Sequence, residues 1–121
     1  MPTVWIKYKP EKGYDEILDR LAAEIPGITA PQMNVGGRDL HHGGVGESEI
    51  MVEFLEFSSR DCNINDIQIT VVAHPFPERR TRLDEATAEI KKGIMSILAD
   101  FDRNVKVGVS IWLVEMGYAT I

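Results

Sequence analysis

The stretch MPTVWIKYKP (residues 1–10) has the two-residue period of a β-strand. Val4, Ile6 and Tyr8 lie on one side of an extended chain, and the residues between them lie on the other. Pro2 can begin such a strand, because the first residue need not donate a hydrogen bond to the ladder. The stretch therefore predicts an N-terminal strand with one apolar face.

A second copy of this pattern begins 65 positions later, in DIQITVVAHP (residues 66–75). Under that shift the strand, the turn after it and part of the next helix fall on similar or identical residues. The matched pairs are Val4 and Ile69, Ile6 and Val71, Pro10 and Pro75, Leu18 and Leu83, Asp19 and Asp84, Ala23 and Ala88, Glu24 and Glu89, and Ile25 and Ile90. A match over three elements in one frame indicates an internal β-α-β duplication.

Two helices and two further strands complete the predicted elements. Apolar residues at helical spacing predict a first helix that ends at Pro26 and Gly27. A second helix is predicted from Glu78, because apolar residues recur there at steps of three or four up to Phe101. The segment from Gln32 to Glu49 is polar and rich in glycine, which predicts a poorly ordered loop. The remaining strands are predicted in EIMVEFLEFS (residues 49–58) and VGVSIWLVEM (residues 107–116).

These elements predict a single α+β domain over residues 1–121, with repeats at 2–57 and 67–116. Each repeat joins two parallel strands through a right-handed crossover helix. The two β-α-β units then form one four-stranded mixed sheet with both helices on one face. Because the strands contain Val, Ile, Leu and Trp, the other face is predicted to be too apolar for a monomer, and we expect self-association.

The composition excludes several classes of function. The formal net charge of −6 argues against a nucleic-acid or anionic-membrane partner, because binding phosphates takes clustered Lys and Arg. The single cysteine, Cys62, allows no intrachain disulfide, and no apolar run is long enough for a signal peptide or a membrane span. We therefore expect a cytoplasmic protein whose ligand is a small molecule.

A Met-Pro start on a duplicated β-α-β chain of 121 residues resembles the tautomerase superfamily. The matching stretches are MPTVWIKY (residues 1–8), ITVVAHPFPERR (69–80) and VSIWLVEMGY (109–118). The resemblance implies a homotrimer whose sheets enclose a central core. It also implies that Pro2 is catalytic, as a free secondary amine once Met1 has been removed.

The chemistry implied for Pro2 is keto–enol proton transfer on a small anionic carbonyl compound. A base for this reaction needs a pKa near the working pH. Apolar neighbours and nearby cations both lower the pKa of an amine, because they disfavour its protonated form. Residues of both kinds follow Pro2 in the sequence: Val4, Trp5, Ile6, Lys7, Lys9 and Lys12.

The substrate anion is predicted to bind at the turn after the third strand. The resemblance implies arginines at this turn, in an Arg-Pro-Arg pattern in the decarboxylase-like members, whereas this chain has His74 and Phe76 and places Arg79 and Arg80 later. His74, Arg79 and Arg80 are therefore the candidate substrate-binding residues, although both arginines also fit a solvated first turn of a helix. Trp112 is predicted either to line the pocket or to lie in the interior or an interface.

Other functions remain open at this stage. The element order also fits ferredoxin-like binding modules, in which the strand order interleaves the two halves and Pro2 has no chemical role. A tautomerase-like trimer that only binds, or one that decarboxylates or hydrates its substrate, fits as well. His41 and His42 are adjacent without a completing ligand set, so we expect neither a metal nor a cofactor.

Overall fold

A computed structural model describes residues 2–34 and 45–115. The strands are β1 (Thr3–Tyr8), β2 (Met51–Glu56), β3 (Ile67–Ala73) and β4 (Val107–Leu113). The helices are α1 (Asp15–Met33), α2 (Pro77–Thr81) and α3 (Leu83–Leu98), and short 3₁₀ turns occupy Pro10–Lys12 and Glu47–Glu49. The fold class predicted from the sequence is confirmed: a four-stranded mixed sheet with two main helices.

The strands lie in the order β2-β1-β3-β4. β1 pairs in parallel with β2, β3 pairs in parallel with β4, and β1 and β3 meet antiparallel at the centre. Each half of the chain therefore pairs its own two strands. This order differs from the interleaved one of ferredoxin-like modules, so that alternative fold is excluded.

The central strand pair reproduces the shift of 65 residues seen in the sequence. Trp5 pairs with Thr70, which is its own counterpart under the shift. The pair Val4–Val71 maps onto Ile69–Ile6, which is also an observed pair. The two halves are thus related by an approximate two-fold axis through the Trp5–Thr70 pair.

Helix α1 continues well beyond the end predicted for it at Pro26 and Gly27. It runs to Met33 with two internal prolines, Pro26 and Pro31. The prediction was wrong because the buried stripe continues past the first proline, through Thr29, Ala30 and Met33. Pro31 is exposed and Pro26 is half-buried, so neither ring interrupts that stripe. Packing therefore outweighs the two helix hydrogen bonds that the prolines lack.

The segment predicted as one helix from Glu78 forms two. The short α2 ends at Thr81, and Arg82 breaks the helical conformation before α3 begins at Leu83. α3 packs against α1, with Gly93 facing Ile28: a Cβ on Gly93 would lie 2.9 Å from Ile28 Cγ2. The missing side chain lets the two helices approach closely, as the core beneath them requires.

The hydrophobic core lies between the two long helices and one face of the sheet. Strand residues at alternating positions contribute to it, as the two-residue period predicted. The fully buried large side chains are Val4, Ile6, Ile17, Leu21, Ile25, Met33, Ile67, Ile69, Ile90, Ile94 and Ile97. Both repeats supply strand and helix residues to this one core.

The opposite sheet face is packed against neither of the two long helices, and it carries apolar as well as polar side chains. Met51, Leu55 and Trp112 are exposed on it, at 46%, 47% and 54% respectively. The strand registers place polar side chains between them. These are Thr3, Lys7, Glu53, Gln68, Thr70 and Ser110. Trp5 and the buried Val72 lie on the same face.

Part of the segment from Gln32 to Glu49, which was predicted as a poorly ordered loop, forms helical structure. Gln32 and Met33 complete α1, and Glu47–Glu49 forms a 3₁₀ turn. Residues 35–44, which include both adjacent histidines, lie outside the described residues. In the ranges described, none of the helices has the length and apolar character needed to cross a membrane.

Candidate functional site

Pro2 lies at the end of the sheet where β1 and β2 begin and where β3 and β4 end. Its carbonyl oxygen accepts a hydrogen bond from Met51 N at 3.2 Å. Thr3 pairs with Val72, so β3 ends beside the first residues of the chain. We call this end of the sheet the Pro2 edge. Pro2 itself is buried there.

The lysines predicted to act on Pro2 lie elsewhere. Lys7 is five residues along β1, which places its backbone about 16 Å from Pro2, and its ammonium group lies over the Phe57 ring at 5.2 Å. Lys9 forms an ion pair with Asp66 at 3.2 Å. Nearness in sequence was misleading because an extended strand carries each residue about 3.3 Å further away.

The turn after β3 brings His74 to the Pro2 edge. Ala73 is the last residue of β3, and its carbonyl oxygen accepts a hydrogen bond from Val114 N at 3.0 Å. His74 follows directly and is exposed. Its carbonyl accepts a hydrogen bond from Phe76 N at 3.0 Å, and its ring lies 5.8 Å from the Phe76 ring at an angle of 42°. The exposed imidazole is thus available to a ligand.

Arg79 lies in α2 directly behind this turn. It is only 5% exposed, so the alternative prediction of a side chain in a solvated first turn of a helix is wrong for this residue. Its Nε donates to Met33 O at 2.8 Å and its Nη1 donates to His74 O at 3.1 Å. The guanidinium also lies over the Phe76 ring, 4.9 Å from its centroid.

Burial lowers the pKa of Arg79 below its usual value, since it removes water from the charged form. The hydrogen bonds to two carbonyl oxygens offset part of that cost. Arginine has the highest pKa of the side chains, so the group keeps its charge at neutral pH. The turn after β3 therefore has a fixed positive charge behind it.

Arg80 and Trp112, the other predicted binding residues, are both exposed. Arg80 follows Arg79 in α2 and is free of the backbone contacts that bury its neighbour. Trp112 lies on the face of β4 opposite to the helices and pairs with Val72. It is therefore in the row of residues next to Pro2, although on the face opposite to the helices.

A second polar cluster, which the sequence did not reveal, lies at the other end of the sheet. Asp66 accepts hydrogen bonds from Lys106 N at 3.0 Å and from the ammonium of Lys9. The hydroxyl of the buried Tyr14 also donates to it. Burial acts to raise the pKa of Asp66, but these hydrogen bonds outweigh it and the pKa is lowered. Burial and the carboxylate together raise the pKa of Tyr14.

A cavity of about 560 Å³ lies at this same far end, between the turn after β1 and the segment that follows β2. Its lining includes Lys9, Phe57 and the exposed Cys62. The cavity is separated from Pro2 by the length of β1. It therefore does not belong to the Pro2 edge.

Comparison with solved structures identifies the class of fold. A macrophage migration inhibitory factor-like protein from Entamoeba histolytica matches with a TM-score of 0.58 at 11% identity, over 98% of this chain and 95% of that chain. A fused 4-OT symmetric trimer matches with a TM-score of 0.51 at 11% identity, over 98% and 90%. A 5-carboxymethyl-2-hydroxymuconate delta-isomerase matches with a TM-score of 0.51 at 15% identity, over 100% and 88%.

These three proteins belong to the tautomerase superfamily, and this chain has their fold. The resemblance predicted from residues 1–8, 69–80 and 109–118 is thereby confirmed at the level of the fold. No protein-family model and no curated protein matches the sequence. The site residues must accordingly be argued from this chain's own geometry.

Proposed function

We propose that the protein is a tautomerase-like isomerase in which the processed N-terminal nitrogen of Pro2 transfers a proton on a small anionic carbonyl compound. The observation that carries the proposal is the position of Pro2. Pro2 is buried just before β1 and lies near the exposed His74. The buried Arg79 lies behind His74, and the chain has the tautomerase fold.

The surroundings of Pro2 favour a neutral amine. Burial disfavours its protonated form, and the positive charge of Arg79 behind the neighbouring turn acts in the same direction. These groups replace the lysines that the sequence suggested. A neutral secondary amine accepts the proton of an enol hydroxyl. The resulting ammonium then returns a proton to the carbon, so that the substrate is isomerised without net loss.

His74 and Arg80 are the proposed contacts to the anionic group of the substrate. Both are exposed and lie at or just after the turn that reaches the Pro2 edge. A donor or cation placed there holds a carboxylate and stabilises the negative charge that develops on the enolate. In the proposal, Trp112 forms an apolar wall of the site on the side of the sheet opposite to the helices.

We also propose that the protein is a homotrimer. Three large apolar side chains exposed on the sheet face opposite to the helices favour burial against other copies of the chain. One of the structurally similar proteins is described as a symmetric trimer. Light scattering should give a mass three times that of the chain at micromolar concentrations. A mass of one chain at every concentration would contradict the assignment.

The proposed activity can be tested with a phenylpyruvate-like enol as the probe. Protein whose intact mass shows that Met1 has been removed should speed ketonisation above the uncatalysed rate, with saturation at high probe concentration. Substituting Arg80 by Gln should raise KM, because it removes a contact to the anion. Absence of turnover by fully processed, folded protein on a panel of small keto acids would argue instead for a binding module.

A further inference from the structure

Arg79 is buried, although it lies next to a proposed anion site. It is the single charged residue that is buried in ranges 2–34 and 45–115. A buried guanidinium that has lost its water must find hydrogen-bond acceptors inside the protein. The acceptors identified are two backbone carbonyls, those of Met33 and His74. At least two of its N–H groups are therefore committed to the protein itself.

The two carbonyls belong to different parts of the fold. Met33 is the last residue of α1, and the carbonyl oxygens in the last turn of a helix accept no hydrogen bond from within that helix. His74 is the first residue after β3. The guanidinium is a planar group with a rigid fork of donors, so it holds these carbonyls in a fixed relation. Arg79 thus ties the turn after β3 to the end of α1.

Phe76 provides a second connection between Arg79 and His74. The Phe76 ring lies 4.9 Å from the guanidinium and 5.8 Å from the His74 ring. A cation over an aromatic face and a pair of tilted rings are both favourable arrangements. His74 is therefore held by Arg79 through its carbonyl and through the intervening ring. The imidazole packs against the Phe76 ring, and His74 is otherwise exposed.

We propose that Arg79 is a positioning residue that acts through His74. It holds the imidazole at the Pro2 edge, where His74 contacts the anionic group of the substrate, and Arg79 itself makes no substrate contact. This inference rests on the proposed function.

A double-mutant cycle on kcat/KM tests this role. Arg79→Lys keeps the charge but loses the fork, and is expected to lower kcat/KM roughly 10- to 100-fold. In a His74→Ala background the same change should cost less than about threefold, because the residue through which Arg79 acts is gone. Arg82→Lys, in the break between α2 and α3, is the matched control and should leave kcat/KM unchanged in both backgrounds.

If the fold-losses in kcat/KM of the two single variants multiply in the double variant, the proposal is overturned, since Arg79 would then act independently of His74. If Arg79→Lys fails to fold, Phe76→Leu takes its place in the cycle with the same expectation. An amide-exchange measurement needs no activity. Exchange at Phe76 N, which donates to His74 O, should be faster in Arg79→Lys and unchanged in Arg82→Lys.

Unchanged exchange at Phe76 in Arg79→Lys would overturn the positioning role whatever the activity. Absence of turnover in the processed protein, with the exchange result as expected, would instead reject the proposed function and leave the structural tie established. The two failures are therefore distinguishable.

Discussion

Inserting one alanine between Met1 and Pro2 is expected to abolish ketonisation of the probe. The insertion turns the Pro2 nitrogen into an amide, which has no basic lone pair and cannot accept a proton. General acid–base catalysis contributes roughly 100- to 10,000-fold to a rate, and we expect a loss in kcat of this order. Steady-state kinetics on the inserted and the processed protein measure it directly.

Pro2→Ala is the control for this experiment. After removal of Met1 it presents a primary amine at the same place, so it should retain part of the rate that the insertion destroys. Circular dichroism should be unchanged in both variants, because the changes precede β1. Equal turnover by the inserted and the processed protein would show that Pro2 has no chemical role.

Asp66→Asn is expected to produce the largest loss of stability among the polar substitutions. It removes the carboxylate that joins Lys9 after β1, Tyr14 before α1 and Lys106 before β4. Hydrogen bonds to a charged group contribute about 1.5–3 kcal/mol each, and Asn retains some of them. We therefore expect the free energy of unfolding to fall by about 2 kcal/mol at pH 7, measured by urea denaturation.

The pH dependence of that loss follows from the direction of the pKa shift. The pKa of Asp66 is lowered in the folded protein, so its stabilisation is fully present above the unfolded value of about 3.9. It is lost as the pH falls through the folded value. The difference between wild type and Asp66→Asn should therefore shrink in acid.

Asp102→Asn removes the same charge from an exposed side chain and serves as the control. It should change the free energy of unfolding by less than about 0.5 kcal/mol at any pH. A loss in Asp66→Asn that stays constant from pH 7 to pH 3 would contradict the assigned role of the carboxylate.

The sheet was predictable from the sequence because its signals are local and repeated. Val4 and Ile6 alternate with Thr3, Trp5 and Lys7 on the other face, and the shift of 65 residues places the same two-residue period on β3. The observed pairing of Trp5 with Thr70 is consistent with that shift, because the two residues are counterparts in the repeat. Local period and internal symmetry predicted the strands and their duplication, but the element order also fitted a ferredoxin-like sheet, which the observed strand order excludes.

The end of α1 was not predictable by the same means. Pro26 is a strong local signal for the end of a helix, whereas the reason to continue is tertiary. The continuation buries Thr29, Ala30 and Met33, and the surface that they contact belongs to distant parts of the chain. Local rules fail where burial elsewhere outweighs the lost hydrogen bonds.

His74, Arg79 and Arg80 were named from the sequence as substrate-binding residues, and that role stays a prediction. His74 and Arg80 are exposed near the Pro2 edge, but the burial of Arg79 was missed. One signal was available: the shift of 65 residues places Arg79 on Tyr14, an aromatic residue after the corresponding turn, and Tyr14 is also buried. The partners of Arg79 are backbone carbonyls, which leave no trace in side-chain patterns.

The central claim, that the Pro2 nitrogen is the proton-transfer group, is tested most directly by a ¹⁵N NMR titration of that nitrogen in processed protein. We predict that it titrates with a midpoint below that of an ordinary prolyl amine. This midpoint should coincide with the limb of the pH–rate profile, since only the neutral amine accepts the proton. A nitrogen whose midpoint differs from the kinetic limb, or whose pKa is that of a solvated amine, would contradict the account.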